Sequence, residues 1–163
     1  MTLLGKGRSG TRAAARRAGE LGKLSEYLAF VLAGEAYAVP ISFVVEILKP
    51  LPITKVPRTS EDIVGVMSVR GRLVTVCDLR RVLHLKHQKE DHKTRIFLVD
   101  AGEGELVGFI VDEVLQVYRL AESEIESASA LGGEQQAHIG GVGRPASGPL
   151  LVLLDLAPIL GKQ

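Results

Sequence analysis

The densest group of metal-ligating residue types is His84, His87 and His92 with Asp91. Zinc or a similar ion would need three or four such donors held at fixed spacing. These stand in or beside the polar run 86–93, Lys-His-Gln-Lys-Glu-Asp-His-Lys, where no helical or strand pattern fixes them. The expected element is a solvated loop, and no metal site is assigned. Cys77 is the one cysteine, and its neighbours Val74 and Val76 are apolar. A thiol so placed is expected to be inert packing rather than a nucleophile. Gly102, Gly104 and Gly108 read G-x-G-x-x-x-G. A second apolar strand follows them where a dinucleotide site needs a helix, so they read as a hairpin turn. The run from Gly140 to Gly148 lacks the Lys-hydroxyl pair of a phosphate loop. Asp112 and Glu113 are adjacent in an apolar stretch. As strand neighbours they point to opposite faces and cannot act as a paired acid and base. No catalytic residue and no cofactor are assigned, and the chain is expected not to be an enzyme.

Val44, Glu46 and Ile47 are different in kind, because two apolar side chains flank a carboxylate. Arg70, next to Gly71, is the basic residue of an expected turn. By itself it reads equally well as a solvated hairpin residue.

The elements that must carry these residues follow from an internal repeat. Residues Gly71 to Leu83 reappear as Gly148 to Leu160, with Leu73, Asp78, Leu79 and Leu83 matching Leu150, Asp155, Leu156 and Leu160 at a constant offset of 77. Ile63 and Gly65 match Ile139 and Gly141 with one residue of slack, and Val44 to Ile47 match Val111 to Val114. Before each V-x-E-[IV] segment lies an apolar hairpin: Leu28–Leu32 with Tyr37–Ile41, and Ile96–Val99 with Leu106–Val111. Each half therefore reads as a hairpin, a short strand, a second hairpin and a short helix opened by Asp78 or Asp155 as N-cap. With 18 glycines, 7 prolines and 4% aromatic residues the composition leans all-β. So few strands avoid open edges best by closing, which predicts two small barrels that stabilise each other by packing together. A second loop is expected from Ser123 to Ala137, with room for a little helix.

Charge and hydropathy limit the partners. Residues 1–24 carry six basic groups against Glu20 alone, a local +5 in a chain of net +1, so the remainder is −4. A disordered basic tail is expected there, ahead of a folded domain at 25–161. The folded part lacks the cationic face and aromatic stacking platform of a nucleic-acid reader, so no nucleic-acid partner is expected. No apolar run approaches the roughly 20 residues that span a bilayer, and no secretory signal opens the chain, so direct membrane insertion is not expected and the cytoplasm is the expected location.

In order along the chain, Tyr37-Ala-Val-Pro-Ile41, Val44-Val-Glu-Ile47, Ile53-Thr-Lys-Val-Pro57, Ile63-Val-Gly65, Ser68-Val-Arg-Gly71 and Val76-Cys-Asp-Leu-Arg80 resemble the CheW-type chemotaxis coupling proteins. Val107-Gly-Phe-Ile-Val-Asp112 and Leu153-Leu-Asp-Leu156 extend the resemblance over residues 25–161. It implies an all-β fold of two SH3-like five-stranded barrels with short capping helices, lobe 1 at about 32–90 and lobe 2 at about 25–31 plus 93–161. It implies a non-enzymatic adaptor that links the cytoplasmic tip of chemoreceptors to the regulatory domain of a CheA-type histidine kinase, at membrane-associated receptor arrays. The family's receptor-contacting positions fall on Val44, Glu46, Ile47 and Arg70; kinase contacts have no comparably sharp motif and none is assigned. Ser68 stands where the family usually has Asn, and Thr75 where it often has Pro. These departures also suit a specialised or decoy relative that binds only receptor or only kinase.

Overall fold

The computed structural model describes residues 23–86, 89–128 and 137–160. In chain order the strands are β1 (Leu24–Leu32), β2 (Glu35–Pro40), β3 (Val44–Leu48), β4 (Ile63–Val69), β5 (Arg72–Asp78), β6 (Arg95–Gly102), β7 (Glu105–Val111), β8 (Glu113–Ala121), β9 (Ile125–Ser127), β10 (Ile139–Gly143) and β11 (Leu151–Leu154). One helix, α1 (Leu79–Val82), follows β5, and 3-10 turns at Ile41–Phe43 and Glu122–Glu124 precede β3 and β9. Hairpins β1–β2, β4–β5 and β6–β7 close through Ala33-Gly34, Arg70-Gly71 and Glu103-Gly104, all with φ between 49° and 84°. Positive φ at both central residues is the turn geometry whose twist suits antiparallel strands.

Two sheets result, β3-β6-β7-β5-β4 and β8-β1-β2-β11-β10-β9. Each closes on itself in the same way. Past β3, Thr54 bridges Val66 on β4; past β8, β9 pairs with β10. The repeat is visible in the ladders. A bulge between Ile63 and Gly65, opposite Cys77 and Val76, recurs between Ile139 and Gly141, opposite Leu154 and Leu153. Both glycines permit a close backbone approach at the seam of the barrel. A Cβ on Gly65 would lie 2.2 Å from the carbonyl oxygen of Thr54, and one on Gly141 2.4 Å from that of Glu126. The parallel pairs repeat too, since Thr75↔Val107 corresponds to Val152↔Tyr37.

Set beside lobes expected at about 32–90 and at about 25–31 plus 93–161, the strands sort by whole hairpins. Hairpin β1–β2 belongs with β8–β11, and hairpin β6–β7 belongs with β3–β5, so the two halves exchange their first hairpins. The reason is the length of the connections. Only Ile41–Phe43 separate β2 from β3, and only Asp112 separates β7 from β8. Without a hairpin turn the chain runs on through a corner into the other sheet. One sheet also gains a sixth strand, because Ile125–Ser127 in the expected loop forms β9. Asp78 does cap α1, its Oδ1 accepting from the Arg80 N–H at 2.9 Å. Asp155 opens only a single turn, closed by the Leu160 N–H on the Leu156 carbonyl. Strand β1 starts at Leu24, one residue ahead of the expected boundary; residues 1–22 of the basic tail and His87 lie outside the described residues.

Exchange puts both first hairpins in the middle, where they bury both faces. On β6, Ile96 and Leu98 fill the interior of their own barrel, while Phe97 and Val99 face the joint core. On β1, Leu28, Phe30 and Leu32 meet them from the other side, with Ala29 of β1 and Ala38 of β2 inside the second barrel. Phe30 and Phe97 are tilted at 5.3 Å between centroids, and Phe97 and Phe109 at 5.4 Å. Continuous apolar runs such as Leu28-Ala-Phe-Val-Leu32 are what a two-sided burial demands.

A buried ionic network fastens the crossing. Arg80, only 4% exposed, places Nε 3.2 Å from Asp78 Oδ1 and Nη1 3.0 Å from Asp112 Oδ1. Asp112 occupies the corner between β7 and β8. Its Oδ2 accepts from the Ala33 N–H in the β1–β2 turn at 2.8 Å, and its own N–H donates to Val31 O. Arg81 adds a second cation at 3.8 Å from Asp78 Oδ2, so the two acids are matched in charge. Removing Arg80 strands two carboxylates in a place water reaches poorly, and such losses cost about 3–5 kcal/mol. Arg80→Leu is expected to lower the unfolding free energy by that amount, read as a lower urea midpoint with an unchanged slope. An unchanged midpoint would show the network to be dispensable.

Cys77 lies in the joint core, and burial, helped by Asp62 nearby, pushes its thiol up to about 11. The thiolate is the reactive form, so the native protein at pH 8 is expected to react with a disulfide reagent about a hundredfold or more slower than a free thiol. Unfolding in guanidinium should restore the ordinary rate. Fast native labelling at pH 8 would contradict the burial.

Candidate protein-docking site

Strand β3 pairs on one side only, with β6, through Val44↔Val99, Glu46↔Leu98 and Ile47↔Phe97. The register slips between Val44 and Glu46, accommodating Val45 as an extra residue. Side chains then alternate. Val44, Glu46 and Leu48 are half-buried, Val44 against the joint core and Leu48 against the interior of the first barrel. Val45 and Ile47 face outward, 56% and 41% exposed, and Phe43 in the preceding 3-10 turn is 48% exposed. Phe43 and Val45 were not singled out from the sequence, since the 3-10 turn and the bulge that expose them break the period of a strand face.

Arg70 reaches this strand from the turn between β4 and β5. The turn holds it at φ 49°, a left-handed conformation that few residues other than glycine adopt, with Gly71 at 84°. Its guanidinium grips the Glu46 carboxylate with both ends: Nη1 donates to Oε2 at 3.0 Å and Nη2 donates to Oε1. The Arg70 side chain is nonetheless 70% exposed. The hydrogen bond from Arg70 holds Glu46 below the usual carboxylate range, and the carboxylate in turn raises the pKa of Arg70. A fork-to-fork pair in water contributes little to stability, but it fixes the plane of both groups. Of the four expected residues, the structure brings Glu46 and Arg70 into direct contact. Ile47, the next residue of β3, is exposed at the junction of the barrels, and Val44 packs against the joint core.

The second barrel does not duplicate this face. Ile47 sits opposite Phe97, whose counterpart Leu28 on β1 faces Val117, so the residue corresponding to Glu46 is Gln116 rather than Glu113. The sequence match of Val44–Ile47 to Val111–Val114 is therefore three residues out of structural register, since Val114 faces Phe30 as Val44 faces Val99. At the offset of 77, Arg70 corresponds to Ser147. The acid–base pair belongs to one barrel only.

Beside Ile47 an open pocket of about 440 Å³ lies at the junction of the barrels, lined by Ile47, His92, Lys93, Arg95, Glu113 and Val114. The other candidates for chemistry are dispersed. His84 and His92 are exposed, and Asp91 Oδ1 accepts from the Lys93 N–H in a local turn. Among the described residues no three His, Cys, Asp or Glu side chains converge as metal ligands. Gly102 and Gly104 shape the β6–β7 turn, and Gly108 lies in β7 against Ile96. Asp112 belongs to the ionic network, and Glu113 lies 3.8 Å from Lys93 Nζ. Among the described residues no helix is long and apolar enough to cross a membrane.

Comparison with known proteins agrees with this architecture. Residues 26–163 match the family model of the CheW-like domain. The chain is 30% identical over 142 residues to the chemotaxis protein CheW of Klebsiella aerogenes, spanning 85% of this chain and 82% of that one. It is 39% identical over 101 residues to the chemotaxis protein CheW of Bacillus subtilis, spanning 62% and 64%. The crystal structure of the scaffolding protein TtCheW from Thermoanaerobacter tengcongensis superposes with a TM-score of 0.73 at 29% identity, over 81% of this chain and 89% of that one. With its two barrels of matching ladder and its acid–base pair on one of them, the chain belongs to the CheW-like domain family of chemotaxis coupling proteins.

Proposed function

We propose that the protein is a non-enzymatic adaptor that couples the cytoplasmic tip of chemoreceptors to the regulatory domain of a CheA-type histidine kinase, within membrane-associated receptor arrays. The observation that carries this reading is the β3 face. Phe43, Val45 and Ile47 make a run of exposed apolar side chains along the chain, and Glu46 of the same strand is paired with Arg70. A monomer has no internal use for such a run, which suits a helical partner laid across it. Glu46, Ile47 and Arg70 touch the receptor in this reading, and Val44 sets the height of the strand from below.

The division of labour follows from solvent access. Apolar anchors gain strength when a partner covers them, whereas an exposed ion pair mostly sets register and partner choice. Ile47→Asp puts a charge where an apolar seat is needed and is expected to weaken binding of a receptor cytoplasmic fragment about thirtyfold or more. Arg70→Glu is expected to remove binding by opposing Glu46 and the partner together. Because both side chains are exposed, both variants should melt close to the wild type and still bind the kinase regulatory domain. Pull-down of the receptor fragment at wild-type yield by both folded variants would refute the assignment.

A further inference from the structure

Beside the apolar side chain of Ile47, the junction pocket is lined by His92 and by the cations Lys93 and Arg95. Lys93 has Glu113 within 3.8 Å, so those two charges largely offset each other. Arg95 does not share in that balance. Its Nη1 donates to the main-chain carbonyls of His92 at 3.0 Å and Thr94 at 2.8 Å, and among the described residues no carboxylate lies within ion-pair distance of it. A guanidinium tethered by one amino group to the main chain keeps its plane fixed, so the ordering cost of forming a further bond is reduced. It lines an open pocket whose other walls include the apolar Ile47 and Val114.

We propose that Arg95 is a specificity residue of the docking face: it pairs with a carboxylate on a helical partner segment whose neighbouring apolar side chain rests on Ile47 and Val114. This rests on the reading of Ile47 as part of the receptor-contacting face. Charge complementarity and the mixed lining select the occupant. A free anion has no use for the two apolar walls, and a nucleic-acid strand needs a run of cations rather than one. A helix offers an acidic and an apolar side chain three or four positions apart on one face, about 5–6 Å from each other, which is the pairing this pocket presents. Arg95 is absent from the acid–base pair of Glu46 and Arg70, so it reads a different position of the same partner.

The test uses the full chain and a trimerised receptor cytoplasmic fragment that binds the wild type, with affinity measured by fluorescence anisotropy at two salt concentrations. Arg95→Glu is expected to weaken binding about tenfold or more and Arg95→Lys only about two- to threefold, since lysine keeps the charge but not the fork. Replacing one acidic residue of the fragment's tip with lysine should restore binding to Arg95→Glu. Arg95→Met, which keeps the side-chain stem, stands in if Arg95→Glu melts early, and should bind more weakly with a flatter salt dependence. Binding by Arg95→Glu or Arg95→Met at wild-type affinity, while Ile47→Asp fails to bind, would overturn the role of Arg95 and leave the docking face standing. Binding by Ile47→Asp at wild-type affinity would overturn the face itself and the role of Arg95 with it.

Discussion

Two corners hold this molecule in its exchanged arrangement, and Asp112 sits in one of them. Its carboxylate takes a main-chain N–H from the β1–β2 turn and a guanidinium amino group from Arg80, which is itself anchored on Asp78 at the end of β5. Three segments far apart in sequence therefore meet on one buried cluster of charges. Desolvating such a cluster is costly, and its geometry is what offsets that cost: two acids, two cations and backbone donors on the remaining lone pairs. Apolar contacts between hairpins would tolerate small slips, because dispersion is short-ranged but not directional. The ionic network does not, so it specifies which hairpin enters which barrel and in what register. A swap back to the unexchanged pairing would separate Asp112 from Ala33 and leave both without partners.

Fixing that crossing determines the docking face as well. Strand β3 begins three residues after β2 ends, on the far side of the other corner, so its position relative to β8 is set by how the two barrels cross. The pocket that joins Ile47 to Glu113 and Val114 is the space between the two strands entered immediately after the corners. The core contributes in the same direction. Phe30, Phe97 and Phe109 form one continuous aromatic stack between the barrels, leaving no layer along which they could slide independently. A face assembled from both barrels is then presented as a rigid surface, and a partner that binds it does not bear the entropy of ordering it.

Much of this was legible in the sequence, and the losses have identifiable causes. The duplication, the hairpins, the turn at Arg70 and the Asp78 cap could be read because each depends on local pattern: period-two apolar residues, X-Gly turns and an N-cap. Gly65 and Gly141 could be matched by position, though not their reason, since the close approach of Thr54 and Glu126 is a long-range contact. The exchange of hairpins was not legible, because two copies with the same apolar pattern are interchangeable to any argument from pattern. Glu113 was paired with Glu46 for a similar reason. Three of the four residue types matched, while the ladders place the true counterpart three residues later, at Val114 to Val117, and a pattern match does not fix strand register. Arg80 escaped as a core residue because arginine is seldom buried, and nothing near it in sequence reveals the distant Asp112.

Duplication followed by loss of symmetry explains how a fold of two similar barrels presents one docking face. Bulges, seams and parallel pairs recur because they are needed to close each barrel, and changing either copy would open it. Glu46 and Arg70 are free of that requirement, and their counterparts are Gln116 by ladder register and Ser147 by sequence offset. The strand that holds Gln116 still carries an outward apolar pair, Leu115 and Val117, each about as exposed as Ile47. An apolar strand face is thus the common property of both barrels, arising from edge strands that cover their interiors from one side only. What distinguishes the first barrel is a charge pair too exposed to add much strength but rigid enough to impose an orientation. In the proposed reading, discrimination among partners depends on few polar groups, those at Glu46, Arg70 and the junction, set against apolar surface that any amphipathic helix could use.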